Sequence, residues 1–245
     1  MDQQRFLEAC EQIIQKERAT RGIGTLGEKT LHAVLKQYFE PDVNSQEVKV
    51  GGYVADIVGE NGIIEIQTAN FNRLRDKLTA FLECAHVTVV YPIPAVKWLC
   101  WIDPETQQIS KKRKSPRKGT VYDAFTELYK IKSFLKHENL TLCFVLLELE
   151  EYRILNGWSK DRKKGSHREE RIPVALLDEI YIHRPSDYRV CVPKELPTQF
   201  TVKDYAKAAK ISLSAAGTAL HVLNAAGAVL RTGKQGRSYL YQSLV

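Results

Sequence analysis

Between residues 46 and 68 the hydrophobic period of the chain changes from helical to alternating and back again, and this switch restricts the fold more than any other feature. Three runs read as short strands: Gln46–Val50, Tyr53–Val58 and Ile63–Thr68. They are parted by Gly51-Gly52 and by Gly59-Glu60-Asn61-Gly62. Upstream, Leu31, Leu35 and Phe39 share a helical stripe that stops before Pro41, and an earlier helix carries Phe6, Leu7, Cys10, Ile13 and Ile14. Downstream, Phe71, Leu74, Leu78, Phe81 and Leu82 form another stripe, with Asn70 placed to cap it. His86–Tyr91 and Val96–Ile102 read as further strands, residues 121–136 as a helix, and Thr141–Leu149 as a strongly apolar strand. Helices, a three-strand meander, a helix and more strands predict an α/β core built on a mixed sheet.

The turn at residues 59–62 determines which side chains share a face. With Glu60-Asn61 as its central pair, residue 56 lies directly opposite residue 65. With Asn61-Gly62 central, residue 56 faces 67 and stays diagonal to 65. Either way Asp56, Glu65 and Gln67 occupy one face, whereas a three-residue loop would reverse the parity. Opposed carboxylates destabilise a sheet unless they are solvated, protonated or bridged by a cation. The flanking isoleucines and valines argue against an open, solvated face. Hard divalent cations select carboxylate and carbonyl oxygens, and magnesium commonly combines one or two carboxylates with a substrate phosphate. The pattern points to metal-assisted phosphodiester hydrolysis.

Asp56, an eight-residue gap, then Glu65-x-Gln67 at the end of an apolar strand resembles the signature of the PD-(D/E)XK nucleases. The helix containing Glu28, the meander and the helix after Asn70 resemble that superfamily's α-β-β-β-α-β core order over about residues 20–92, extending toward 150. The resemblance implies a restriction-endonuclease-like fold, with a mixed central sheet flanked by helices. It implies Asp56 and Glu65 as ligands of Mg2+, or of Mn2+ in its place, and the Ile66 backbone carbonyl as a further ligand. Glu28 would be a supporting acid. Two departures stand out: Ala55 precedes Asp56 where proline is usual, and Gln67 stands where the superfamily usually has lysine. Glutamine can hold a water or a phosphate oxygen by hydrogen bonding but brings no positive charge. Lys77, or less directly Arg73, is the candidate for a displaced cation on the following helix, facing nucleic acid. Glu28 also completes a capping box with Thr25, a role compatible with the site.

Charge supplies the partner. Lys and Arg number 36 against 29 Asp and Glu, for a net +7. The excess is segregated. Residues 1–100 hold eleven basic and thirteen acidic residues, 101–172 sixteen and eleven, and 173–245 nine and five. Lys111, Lys112, Arg113, Lys114, Arg117 and Lys118 form one cluster, and Lys160, Arg162, Lys163 and Lys164 another. Such an electrostatic footprint predicts nucleic acid as the partner. After Pro197, Thr201 and Asp204 make a capping-box-like start to a short helix, and Ser212 and Ser214 are candidate caps for a second one closed by Gly227. A two-stranded ribbon with a basic glycine tip follows, an order that resembles a winged helix. The expected division is therefore a nuclease-like domain over residues 1–195 and a winged-helix domain over 196–245. Its second helix, with Ser214, Thr218, His221 and Asn224, has no Arg or Lys for guanine. Lys203, Lys207, Lys210, Lys234 and Arg237 would hold phosphates instead. A protein-docking or dimerisation module is the alternative reading of this segment.

The sum is a magnesium-dependent endonuclease acting on DNA, the winged-helix pattern favouring duplex DNA over RNA. The alternative is a nuclease-like nucleic-acid-binding regulator that lost catalysis with its lysine. Cutting both strands suits a homodimer, although no stretch marks an interface. A polar opening and the lack of a long apolar run predict a chain that is neither secreted nor membrane-bound. Five scattered cysteines without a C-x-x-C pair fit a reducing cytoplasm.

Overall fold

The computed structural model describes residues 1–21, 29–157 and 165–245. It is a mixed α/β fold whose central sheet is flanked by helices. Helices α1 (Gln3–Arg21) and α2 (Lys29–Phe39) lead into strands β1 (Gln46–Val50), β2 (Tyr53–Gly59) and β3 (Gly62–Ile66). Helix α3 (Leu74–Leu82), strand β4 (Val87–Ile102), the short β5 (Arg113–Lys114) and the single-turn α4 (Phe125–Leu128) follow. The chain then runs through β6 (Leu140–Ile154), β7 (His167–Ile182), α5 (Val202–Ala209), α6 (Leu213–Ala226), β8 (Val229–Gln235) and β9 (Ser238–Ser243). Among the described residues the main sheet has the order β1-β2-β3-β4-β6-β7, with β5 on β4, and β8-β9 form a separate hairpin. The sheet is mixed because β2 and β3 run antiparallel while β3 and β4 run parallel.

The chain gathers into two compact units. One comprises Met1–Gln46, Pro92–Gly119 and Val145–Glu179. Its core includes Phe6 against Tyr38, edge to face at 5.5 Å, with Leu31, Val34 and Leu35 buried on α2. The other comprises Glu47–Tyr91, Thr120–Phe144 and Ile180–Val245. Here the apolar stripe of α3 (Leu74, Leu78, Phe81) is buried, as the helical period predicts.

Four local expectations change. Strand β4 is continuous through Pro92 and Pro94, where two strands were expected. The Val90 carbonyl accepts from Gln67 N–H at 2.9 Å, so residues 90, 92 and 94 direct their backbone groups toward β3. That strand ends at Ile66, opposite Val90. The proline nitrogens therefore face a side on which β3 no longer needs a donor. Asn70 does not cap: it is left-handed (φ 60°) without a side-chain bond, and Glu127 Oε2 takes the Phe71 N–H at 2.8 Å. The helix expected over 121–136 is α4 flanked by 3-10 turns, and β7 is a strand the alternation did not reveal. Gly62 is required where β3 begins, because φ is +104° and a Cβ would stand 2.3 Å from the His86 carbonyl oxygen.

The C-terminal caps form as the sequence predicts. Thr201 and Asp204 close a reciprocal box on α5, Ser212 accepts from Ala215 N–H at the start of α6, and Gly227 (φ +80°) ends it. Phe200 pairs with Tyr241 of β9 through two backbone hydrogen bonds of 2.9 and 2.8 Å, an isolated antiparallel bridge alongside the β8-β9 hairpin.

Candidate active site

The β2-β3 register pairs Ile57 with Ile64, Val58 with Ile63 and Gly59 with Gly62. Glu60-Asn61 is thus the central pair of the turn, and the same register continued past its last pair, Ile57 with Ile64, would set Asp56 opposite Glu65. Backbone bonds knit the two acids together. Asp56 N–H donates to Glu65 Oε1 at 3.3 Å, and Ile66 N–H donates to Asp56 Oδ2 at 2.7 Å. Asp56 is half-buried, while Glu65 is only 1% exposed.

Lys77 completes the group. It stands on α3 beside the buried stripe, and its Nζ lies 2.9 Å from Glu65 Oε2 and 3.1 Å from Oε1. Glu65 is therefore held by Lys77 and by the Asp56 amide. Arg73 is exposed on the turn before α3 and does not bond Glu65. Gln67 is half-buried, but its amide donates to the Ala69 carbonyl rather than to Glu65. Ile66 is buried at the end of β3. Glu28, with its Thr25 capping partner, lies outside the described residues, as does the 160–164 basic cluster.

Burial, and secondarily the charge of Asp56, pushes the Glu65 carboxyl above its ordinary value of 4.5, against the pull of Lys77. A carboxyl with a raised folded pKa favours folding at low pH, and that contribution is lost as pH rises through the folded value. Glu65→Gln should therefore be more stable than the native chain at pH 7, with the advantage shrinking as pH approaches 4. Urea midpoints at the two pH values measure this. A variant less stable at pH 7 would mean that the Lys77 pair outweighs the burial.

Among the described residues, no group of three or more His, Cys, Asp or Glu is arranged as a metal cluster. The hairpin does offer two hard-oxygen carboxylates, one of them buried and neutralised by a single cation. This donor set suits a hydrated divalent ion that also takes ligands from a substrate.

The basic arm is a surface of the unit that contains it. β5 pairs with β4, setting Lys114 opposite Trp98 and Arg113 opposite Leu99. The ammonium groups of Lys112 and Lys114 lie 5.6 and 5.5 Å from the Trp98 ring centroid, and the indole N–H donates to Glu148 at 2.6 Å. Lys112 also meets Glu150 at 3.0 Å. Trp98 thus orders lysines by cation–π attraction. Lys111, Lys112, Arg113, Lys114, Arg117 and Lys118 are all exposed.

Lys234 and Arg237 are exposed near the tip of the β8-β9 hairpin. One further cation, Arg231, joins Lys234 on Tyr239. Arg231 Cζ lies 3.1 Å from the Tyr239 ring centroid, and Lys234 Nζ lies 5.2 Å from the same centroid. A two-residue turn at Gly236-Arg237 would have placed Lys234 opposite Tyr239 from sequence alone. The bulge between Arg231 and Gly233 hides the position of Arg231.

The class defined by fold and site is a mixed α/β protein with an acid pair and a lysine at a central hairpin. The chain belongs to the DUF8091 family, a domain of unknown function, whose model matches residues 29–183 and so includes Asp56, Glu65, Lys77 and the basic arm. It is similar to an uncharacterized protein of Treponema pallidum (strain Nichols), 28% identical over 233 residues, covering 90% of this chain and 87% of the relative. No solved structure matches.

Proposed function

We propose that the chain is a metal-dependent nuclease hydrolysing phosphodiester bonds, with DNA as its substrate. The observation that carries this reading is the convergence of Asp56, Glu65 and the Lys77 ammonium on one hairpin. These are the two acids and one cation that the PD-(D/E)XK resemblance requires, with the lysine delivered from α3 instead of from position 67. Asp56 and Glu65, with the Ile66 carbonyl, would hold Mg2+ or Mn2+. When bound, such an ion supplies Lewis-acid stabilisation of phosphate charge and a more acidic water. Lys77 brings positive charge for a phosphate oxygen, and Gln67 a hydrogen-bonding amide for water or phosphate. The exposed cations of the basic arm, with Arg231, Lys234 and Arg237 of a winged-helix-like hairpin, neutralise the DNA backbone without reading sequence.

One observation favours a second reading. Glu65 is already neutralised within the chain, which suits a nuclease-like nucleic-acid-binding regulator without catalysis. Cleavage separates the two. Purified protein is assayed on supercoiled plasmid, linear single-stranded DNA and RNA with Mg2+, Mn2+ or chelator, beside an Asp56→Ala/Glu65→Ala double variant. Nicking that needs the metal and both acids is the expected result. Salt-sensitive binding without cleavage by either protein would leave only the regulator. The arm has its own test: Lys112→Glu/Lys114→Glu should weaken DNA binding by about tenfold or more and flatten the log-affinity against log-salt slope by about 2. An unchanged slope would remove the arm from the interface.

A further inference from the structure

We propose that Lys77 is a resident counter-ion that competes with the divalent cation for Glu65, so that metal loading requires Lys77 to release the carboxylate. The inference rests on reading Asp56 and Glu65 as the metal site, and it adds a gate to that site.

The gate follows from counting acceptors. A carboxylate offers about four lone-pair positions. Lys77 takes one on each oxygen of Glu65, at 3.1 Å from Oε1 and 2.9 Å from Oε2, and the Asp56 N–H takes another on Oε1. The ammonium straddles the two oxygens and so fills the fork a cation would use. Little capacity is left for a second cation while it stays. The Glu65 side chain is 2% exposed, so water cannot readily take the place of Lys77. Lys77 itself is 25% exposed and sits on a flexible four-carbon stem, so its head group can leave toward solvent while the stem keeps its packing on α3.

Charge gives the exchange a purpose. A divalent ion in the position of the lysine brings one more positive charge to Glu65 and leaves the released ammonium beside it as an anion site. Metal and phosphate should therefore favour each other's binding, because a phosphate gives Lys77 another partner.

Mn2+ binding to the full chain without nucleic acid tests the idea, read by the paramagnetic resonance of free Mn2+. Lys77→Met should bind Mn2+ about tenfold tighter than the native protein, since a competing charged hydrogen bond is worth roughly one such factor. Arg75→Met removes a charge from the same helix, where Arg75 is exposed and does not bond Glu65, and should change affinity by no more than about twofold because solvent screens it. Equal or weaker binding by Lys77→Met would overturn the gate, as would a matching gain in Arg75→Met. If Lys77→Met does not fold, Lys77→Arg still decides: its guanidinium fork grips a carboxylate more firmly, so Mn2+ should bind more weakly. Unchanged or tighter binding there would overturn the gate. If neither the native protein nor the lysine variants bind Mn2+ saturably, the metal site itself falls, and the proposed nuclease with it.

Discussion

Replacing Glu151 with alanine should lower the melting temperature by about 10 °C, the largest effect expected of a substitution outside the candidate active site. Glu151 lies on β6 and is 1% exposed. Three cations converge on its carboxylate: Arg153 Nη1 at 2.9 Å, Arg171 Nε at 3.3 Å and Lys97 Nζ at 3.5 Å. Burial alone would raise its pKa, but Lys97, Arg171 and Arg153 outweigh burial and hold it below the usual carboxylate value. Arg153 is fixed in addition by Ser166, donating from Nε to the hydroxyl at 3.1 Å and from Nη2 to the carbonyl at 3.2 Å. Alanine would strip the shared acceptor from three side chains that are each only about a fifth exposed. Breaking a buried ion pair from one side costs about 3–5 kcal/mol. Because the folded pKa is depressed, the stabilisation is present above the unfolded value and lost as pH falls through the folded one. The gap between native and Glu151→Ala melting temperatures should therefore be full at pH 7 and narrow in acid. A shift under about 2 °C at pH 7 would show that the network contributes little.

The second large effect concerns residues 196–245, which should not fold when expressed alone. Their helices, caps and hairpin look self-sufficient, yet α6 buries Ala216, Ala219, Leu220, Val222, Leu223 and Ala226, a stripe wider than α5 covers. The rest packs on α4 and the turn after it, where Phe125, Leu128 and Ile131 are buried. Tyr129 meets His221 at 6.2 Å, Tyr122 meets Tyr205 at 6.3 Å, and the Tyr205 hydroxyl donates to the Cys191 carbonyl at 2.6 Å. All of these partners precede residue 196. A fifty-residue fragment deprived of them has too little core for independent stability. Circular dichroism should show no cooperative melt, and a sharp transition in the isolated fragment would refute the dependence on α4.

What could be read from the chain alone was local. The glycines around Glu60-Asn61 and the two-residue period of the flanking strands were enough to put Asp56, Glu65 and Gln67 on one face, because parity is the same for either even-length turn, while the choice between the two registers came from the structure. The caps at Thr201, Ser212 and Gly227 were legible for the same reason, since each bond spans only a few residues. Tertiary structure decided the rest. Whether Lys77 or Arg73 would reach Glu65 depended on how α3 lies against the hairpin. The cap on Phe71 comes from Glu127, 56 residues away, in place of the adjacent Asn70. The prolines of β4 are tolerated only because β3 ends opposite Val90. Glu151 has Arg153 two residues along its own strand, but its other two cations come from β4 and β7, which nothing local in the sequence marks. Hydrogen-bond parity and capping are set by near neighbours in the chain. Which distant charge meets which acid is set by the packing that brings separate elements together.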